Sequence, residues 1–192
     1  MENYSIGEQA LAKKEFCVRI LGIDPGYATV GFGVIDTQAG RMKFVDCGVI
    51  ETPAGERIER RLCDIAASLS HLIEQYSPDC VSIEELFFYS NQTTGINVAQ
   101  ARGVILYTCE THALPIFEYT PMQVKSAVVG YGKAEKRQVM EMTRVLLKLP
   151  GVPRPDDAAD ALAVAVCHSH NASSALSPLQ NRLAQAKKTA GR

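Results

Sequence analysis

The sequence predicts an α/β protein with a mixed five-stranded sheet, three antiparallel strands followed by parallel additions, flanked by helices. Three observations lead there. Three short β-rich runs, joined by turn residues, open the patterned part of the chain. At Ile58 the apolar period changes from two to steps of three and four. Beyond it, short apolar runs alternate with helical ones.

The first strand is FCVRILGI, an apolar run that ends on Asp24 with Pro25-Gly26 directly behind it. VGFGVID and RMKFVDCGVI follow across turn residues, giving an antiparallel meander. Ile58, Leu62, Ile65, Leu69, Leu72, Ile73 and Tyr76 then mark one face of a helix. The breaker SPDC leads to a short buried strand, CVSIEE. Residues 91–112 read as a second long helix, stopped before Pro115, and PIFEY as the fifth strand. Helices are expected around Gln123–Val129 and Glu135–Leu149, and a last one, DDAADALAVAVCHSH, after the PGVPRP breaker.

At 192 residues, 46% hydrophobic and 21% charged, the chain fits one globular domain with tails. Residues 1–15 read as a polar extension, 16–170 as the folded domain, and 171–192 as a loosely held tail with four bases and no acid. Net charge is −1, yet the charges are segregated: residues 24–101 hold 11 acids and 5 bases, and residues 102–170 hold 7 acids and 8 bases. That distribution allows a basic surface beside an acidic pocket. The six cysteines are scattered without CxxC spacing, several inside apolar runs, which points to a reducing, cytoplasmic setting. No apolar stretch approaches the roughly 18 residues of a membrane span.

Carboxylates stand at three ends of apolar runs: Asp24 after the first strand, Glu84 and Glu85 after the fourth, Asp157 and Asp160 at the start of the last helix. Each has an ordinary alternative, as a turn residue, a solvated strand edge or a helix start, and Asp156 reads as a helix cap. Together they suggest chemistry. Ligands collect at strand ends in open α/β sheets, and a three-residue spacing puts Asp157 and Asp160 on one helix face. Hard divalent cations such as Mg²⁺ take oxygen ligands, and a pair of them needs carboxylates converging from different elements. Zinc would prefer Cys and His in tighter spacings, and Cys167, His168 and His170 have no second ligand pair.

ILGIDPG, IEELFF, QARGV, EYTPMQVKSAVVGYGKAEKRQV and DDAADALA resemble, in order and spacing, the RuvC family of bacterial crossover-junction endodeoxyribonucleases. The likeness runs from about Arg19 to His170. It implies an RNase H-like fold and a homodimer that binds four-way (Holliday) junction DNA, nicking two strands of like polarity symmetrically in recombination and repair. It also implies two Mg²⁺ ions per site, with Mn²⁺ as a substitute, held by Asp24, Glu84, Asp157 and Asp160. Some members have histidine where this chain has Asp157. Lys125 and Lys136 match basic positions near the scissile phosphate, and Lys133 and Arg137 stand in the same DNA-facing block. Phe87 matches an aromatic that stacks on or wedges bases near the crossover, with Phe88 beside it. Gln100, Ala101, Arg102 and Gly103 match a block on the helix expected at the dimer interface. The family works beside the RuvA–RuvB branch-migration motor.

The alternative within the fold is an RNase H-like nuclease acting on RNA or on non-junction DNA. An actin- or hexokinase-type ATPase needs two such domains, for which this length leaves no room. A silent junction-binding module would not need all four acids.

Overall fold

A computed structural model of the chain describes residues 17–86 and 92–171, with the backbone alone for 92–94. Strands β1 (Val18–Asp24), β2 (Thr29–Gln38) and β3 (Arg41–Glu51) form the meander. Helix α1 (Ile58–Tyr76), β4 (Cys80–Glu84), α2 (Gln92–Thr111) and β5 (Ile116–Tyr119) follow, then α3 (Pro121–Val129) and α4 (Lys136–Leu146). A last helix, α5, covers residues 156–171. The sheet order is β3-β2-β1-β4-β5. β1, β2 and β3 pair antiparallel, while β4 pairs parallel to β1 and β5 parallel to β4. This is the mixed sheet that the sequence predicts, with β1 at its centre.

Side chains on a strand alternate between faces, and the core divides accordingly. Leu21, Ile23, Val81 and Ile83 pack with Ile65, Leu69 and Ile73 of α1 and with Ala101 and Ile105 of α2. Val18, Ile20 and Cys80 belong to the other face, beneath α3, α4 and α5. Helix α5 is buried from Ala161 to Ser169, so it is a core helix rather than an amphipathic cover. Glycines let it lie against the strands. A Cβ at Gly22 would collide with the carbonyl oxygen of Ala161, one at Gly31 with that of Asp157, and one at Gly33 with the Leu162 side chain. Gly31 faces Asp24 and Gly33 faces Gly22 across the β1–β2 ladder, so the three glycines form one patch.

Element ends differ from the sequence reading at two helices. α3 begins at Pro121 rather than Gln123 because Thr120 caps it. The Thr120 hydroxyl accepts from the Gln123 N–H at 3.2 Å, and the Gln123 side chain accepts from the Thr120 N–H at 2.8 Å. α4 ends at Leu146 instead of running to Leu149, as the backbone turns left-handed at Lys148 (φ 55°). All six cysteines are free thiols. Among the described residues, no helix is long and apolar enough to cross a membrane.

Candidate metal and nucleic-acid site

Asp24 is the last residue of β1, two steps beyond Gly22 and therefore on the α5 side of the sheet. Glu84 ends β4, and the same alternation carries it onto that face with Cys80 and Ser82. The parallel register pairs Ile23 with Ile83, so the two carboxylates leave neighbouring strands one step later, side by side. Asp157 and Asp160 come from the first two turns of α5, whose backbone rests on Gly31, the ladder partner of Asp24. Four acids from three elements thus converge on one end of the sheet.

Their electrostatics show the crowding. Burial, followed by repulsion from Glu84, Asp160 and Asp157, pushes the Asp24 carboxyl up to about 7, although Lys136 opposes the rise. Burial and the Asp160 charge push Glu84 up to about 7 against the pull of Lys125 and Lys136. Asp160 is also raised, first by burial, despite its hydrogen bond to Lys136. The Lys136 ammonium lies 2.7 Å from Asp160 and 3.9 Å from Asp156. For Lys136 itself burial acts downward, but the bond to Asp160 and the surrounding acids leave it raised overall. A cleft of about 220 Å³ opens between Glu84, Lys125, Lys136 and Asp160.

The structure therefore brings together Asp24, Glu84, Asp157, Asp160, Lys125 and Lys136. Arg137 and Lys133 are exposed, Arg137 beside Lys136 at the start of α4 and Lys133 in the loop before it. Glu85 points its backbone elsewhere, its N–H donating to the Tyr119 carbonyl at 2.8 Å. Phe87 and Phe88 lie outside the described residues. In the QARGV block, Ala101 is core, Arg102 pairs with Glu118 of β5, and Gln100 and Gly103 are exposed. His168 is fully buried. One ring nitrogen meets the Tyr119 hydroxyl at 2.7 Å and the other Cys80 Sγ at 3.5 Å, which leaves neither for a metal. Asp156 differs from the cap expected of it. Its carboxylate accepts from Arg154 Nη1 at 2.7 Å instead of closing the first turn of α5.

Two supports of the site escape a reading of motifs. The glycine patch under α5 is one; its signal is glycine recurring inside strands that are otherwise largely apolar. The other is Arg61, buried on the apolar face of α1 with Ile65, Leu69 and Ile73. Its guanidinium lies 4.2 Å from the centre of the Tyr27 ring, and its Nε donates to Thr52 Oγ1 at 2.8 Å. The Thr52 hydroxyl in turn donates to the Tyr27 carbonyl at 2.7 Å. This clasp fixes the turn that follows Asp24. A charged residue at a core spacing of a helix is the sequence feature that marks it.

The donor set suits a hard divalent cation. All four groups offer oxygen, and two are held near neutrality by burial and mutual repulsion, a cost that bound positive charge would relieve. Among the described residues no three acids, histidines or cysteines stand close enough together to hold one ion as they are placed.

Known proteins resemble this chain over most of its length. A family model described as crossover junction endodeoxyribonuclease RuvC matches residues 20–168. The protein of that name from Roseiflexus sp. is 52% identical over 154 residues, 80% of this chain and 92% of its own length. The one from Syntrophomonas wolfei is 53% identical over 154 residues, covering 80% and 90%. The solved structure of T. thermophilus RuvC in complex with a Holliday junction substrate matches with a TM-score of 0.76 at 35% identity, over 81% of this chain and 94% of that one. The fold is RNase H-like, and the chain belongs to the RuvC family of crossover junction endodeoxyribonucleases.

Proposed function

We propose that this protein is a structure-selective endonuclease that resolves four-way DNA junctions by paired, symmetric phosphodiester hydrolysis, in recombination and DNA repair. The observation that carries the reading is the convergence of Asp24, Glu84, Asp157 and Asp160 at one sheet end, beside Lys125 and Lys136.

Asp24, Glu84, Asp157 and Asp160 would hold the two Mg²⁺ ions, or Mn²⁺ in their place, with Asp24, which feels all three other acids, as the central group. When bound, the ions supply activation of the attacking water and stabilisation of the departing 3′-oxygen. Asp24 and Glu84 must be ionised for this role, so cation binding would expel their protons, and affinity for the cation would climb as pH rises through about 7. Lys136 offsets the charge of Asp160, and Lys125 that of Glu84, which lets a phosphate approach an acidic centre. Arg137 and Lys133 extend the basic surface along the DNA. Phe87 and Phe88 are assigned to stacking on bases opened at the crossover, which is worth about 1–3 kcal/mol per base.

A homodimer suits a nearly two-fold substrate. Helix α2 supplies a surface for it, with Ile96 (60% exposed), Gln100, Gly103 and Tyr107 (71% exposed) along the side away from Ala101 and Ile105. Action in the cytoplasm beside the RuvA–RuvB branch-migration motor belongs to the same reading, and six reduced thiols are compatible with that compartment.

The test is a labelled mobile four-way junction incubated beside linear duplex and RNA–DNA hybrid, with and without Mg²⁺. Symmetric nicks on the junction alone, dependent on the cation, are expected. Linear duplex or hybrid cut as fast as the junction would overturn the proposal in favour of a different nuclease activity.

A further inference from the structure

Lys136 lines two clefts. One is the carboxylate cleft; the other, of about 600 Å³, is lined also by Arg137, Glu141, Arg154 and Asp156. The two therefore adjoin at Lys136. Its charges are unevenly committed. Glu141 is held by Arg144, on the same helix, at 2.6 Å, and its charge also reaches Arg137. Asp156 is placed differently. It accepts from Arg154 Nη1 at 2.7 Å and lies 3.9 Å from the Lys136 ammonium, which makes it an oxyanion between a guanidinium and an ammonium. That is the environment in which a phosphate binds best, since guanidinium forks match its oxygens and an ammonium adds a compact charge.

We propose that this cleft is a subsite for a backbone phosphate next to the scissile one, held by Arg154 and Lys136 with Arg137 at its rim. In the DNA-free protein the Asp156 carboxylate stands in for that phosphate. The inference rests on the nuclease reading above. A scissile phosphate does not arrive alone; the same strand brings its neighbour, and a basic cleft sharing Lys136 with the carboxylates lies where a neighbour can settle. Asp156 keeps Arg154 gathered over the cleft, then yields it to the DNA. Since Asp156 competes for the same two cations, it also weakens binding.

The experiment measures binding of a labelled four-way junction in EDTA, so that no cleavage occurs, across a salt titration. It compares the wild-type protein with Arg154→Ala, Asp156→Asn and Arg60→Ala. Arg60 lies on α1, against the opposite face of the sheet, and serves as a control for net charge. The Arg154 and Arg60 side chains are 76% and 69% exposed, so neither truncation disturbs the core. Arg154→Ala is expected to weaken binding about three- to tenfold and to reduce the slope of log K against log salt by about 0.9, the loss of one phosphate contact. Arg60→Ala should stay within about twofold with the slope unchanged, and Asp156→Asn should bind more tightly than wild type. Arg154→Ala matching Arg60→Ala in affinity and slope would overturn the subsite. Weaker binding by Asp156→Asn would overturn the stand-in role. Wild-type protein that binds linear duplex as well as the junction would instead count against the nuclease reading itself.

Discussion

The two ends of the sheet hold the same kind of side chain under opposite conditions. Where β1 begins, Arg19 grips Asp36 through bonds of 2.8 and 3.1 Å and donates to the Tyr76 carbonyl at 2.9 Å. The Arg19 backbone N–H serves Asp79 at 2.8 Å, and the Tyr76 hydroxyl donates to Asp46. Each of these carboxylates has a donor of its own. Where β1 ends, Asp24, Glu84, Asp157 and Asp160 crowd together, and the nearby cations are Lys136 and Lys125. The first arrangement is architecture: charges are satisfied locally and stabilise modestly. The second keeps like charges close at a standing cost, which marks a place prepared for something else to bind.

Breaking one carboxylate at each end gives the largest contrast. Asp24→Asn should lower single-turnover junction cleavage by at least about a hundredfold, leave junction binding intact, and raise thermal stability in EDTA because a source of repulsion is gone. Asp36→Asn should leave cleavage within about twofold and cost about 1 kcal/mol of stability in urea unfolding, the worth of a partly exposed ion pair with its hydrogen bonds. Equal losses of activity in the two variants would erase the distinction.

Gly22→Ala attacks the support of the functional end. The new methyl meets the Ala161 backbone, so α5 must shift and carry Asp157 and Asp160 with it. Urea unfolding should show a loss of about 2–3 kcal/mol, as overpacking does against an unyielding neighbour. Cleavage should fall as well. Unchanged stability would mean that α5 does not rest on β1 as closely as described.

The pH response separates buried groups of opposite sign. Asp24 and Glu84 are raised to about 7 from ordinary values of 3.8 and 4.5, so the folded protein holds more protons than the unfolded chain in between. Without a divalent cation, stability should therefore fall as pH rises from about 4 to 7. His168 acts the other way. Burial depresses it from 6.5 to about 4, so its contribution is present above 6.5 and is lost as pH falls toward 4. Melting curves in EDTA should decline toward neutral pH in the wild type. An Asp24→Asn, Glu84→Gln double variant should lose that decline and keep the acid-side loss. A double variant with the wild-type profile would show that the two carboxyls do not carry the neutral-pH effect.

A further contrast is expected from the cation itself. Mg²⁺ at about a hundred times its dissociation constant should stabilise the wild type by about 2.7 kcal/mol, read as a rise in melting temperature at pH 8. Asp24→Asn should lose most of that rise, whereas Asp36→Asn should keep it. A rise of equal size in Asp24→Asn would place the cation elsewhere.

Element order was legible because period-two and helical patterns alternate cleanly, and the acids stood out because each stands at an end of an apolar run. Less was legible where one residue type serves two purposes. Asp156 has the residue type and the position of a helix cap, yet Arg154 and Lys136 claim its carboxylate. His168 beside Cys167 invites a metal reading, yet Tyr119 and Cys80 occupy its ring. The α3 start shifted because Thr120 and Gln123 form a reciprocal cap that periodicity alone does not register.

The sequence by itself determined which face each acid takes. Alternation sets Asp24 on the strand face of Ile20 and Gly22 and Glu84 on that of Cys80 and Ser82, and a three-residue step aligns Asp157 with Asp160, because these are properties of a local backbone. The tertiary structure decided that the faces meet. The Ile23–Ile83 register sets the two strand-end acids side by side, the glycine patch lets α5 descend onto β1 and β2, and α4 swings Lys136 over Asp160. Register and helix docking are fixed by contacts between residues far apart in the chain, and no local pattern encodes the distance between them.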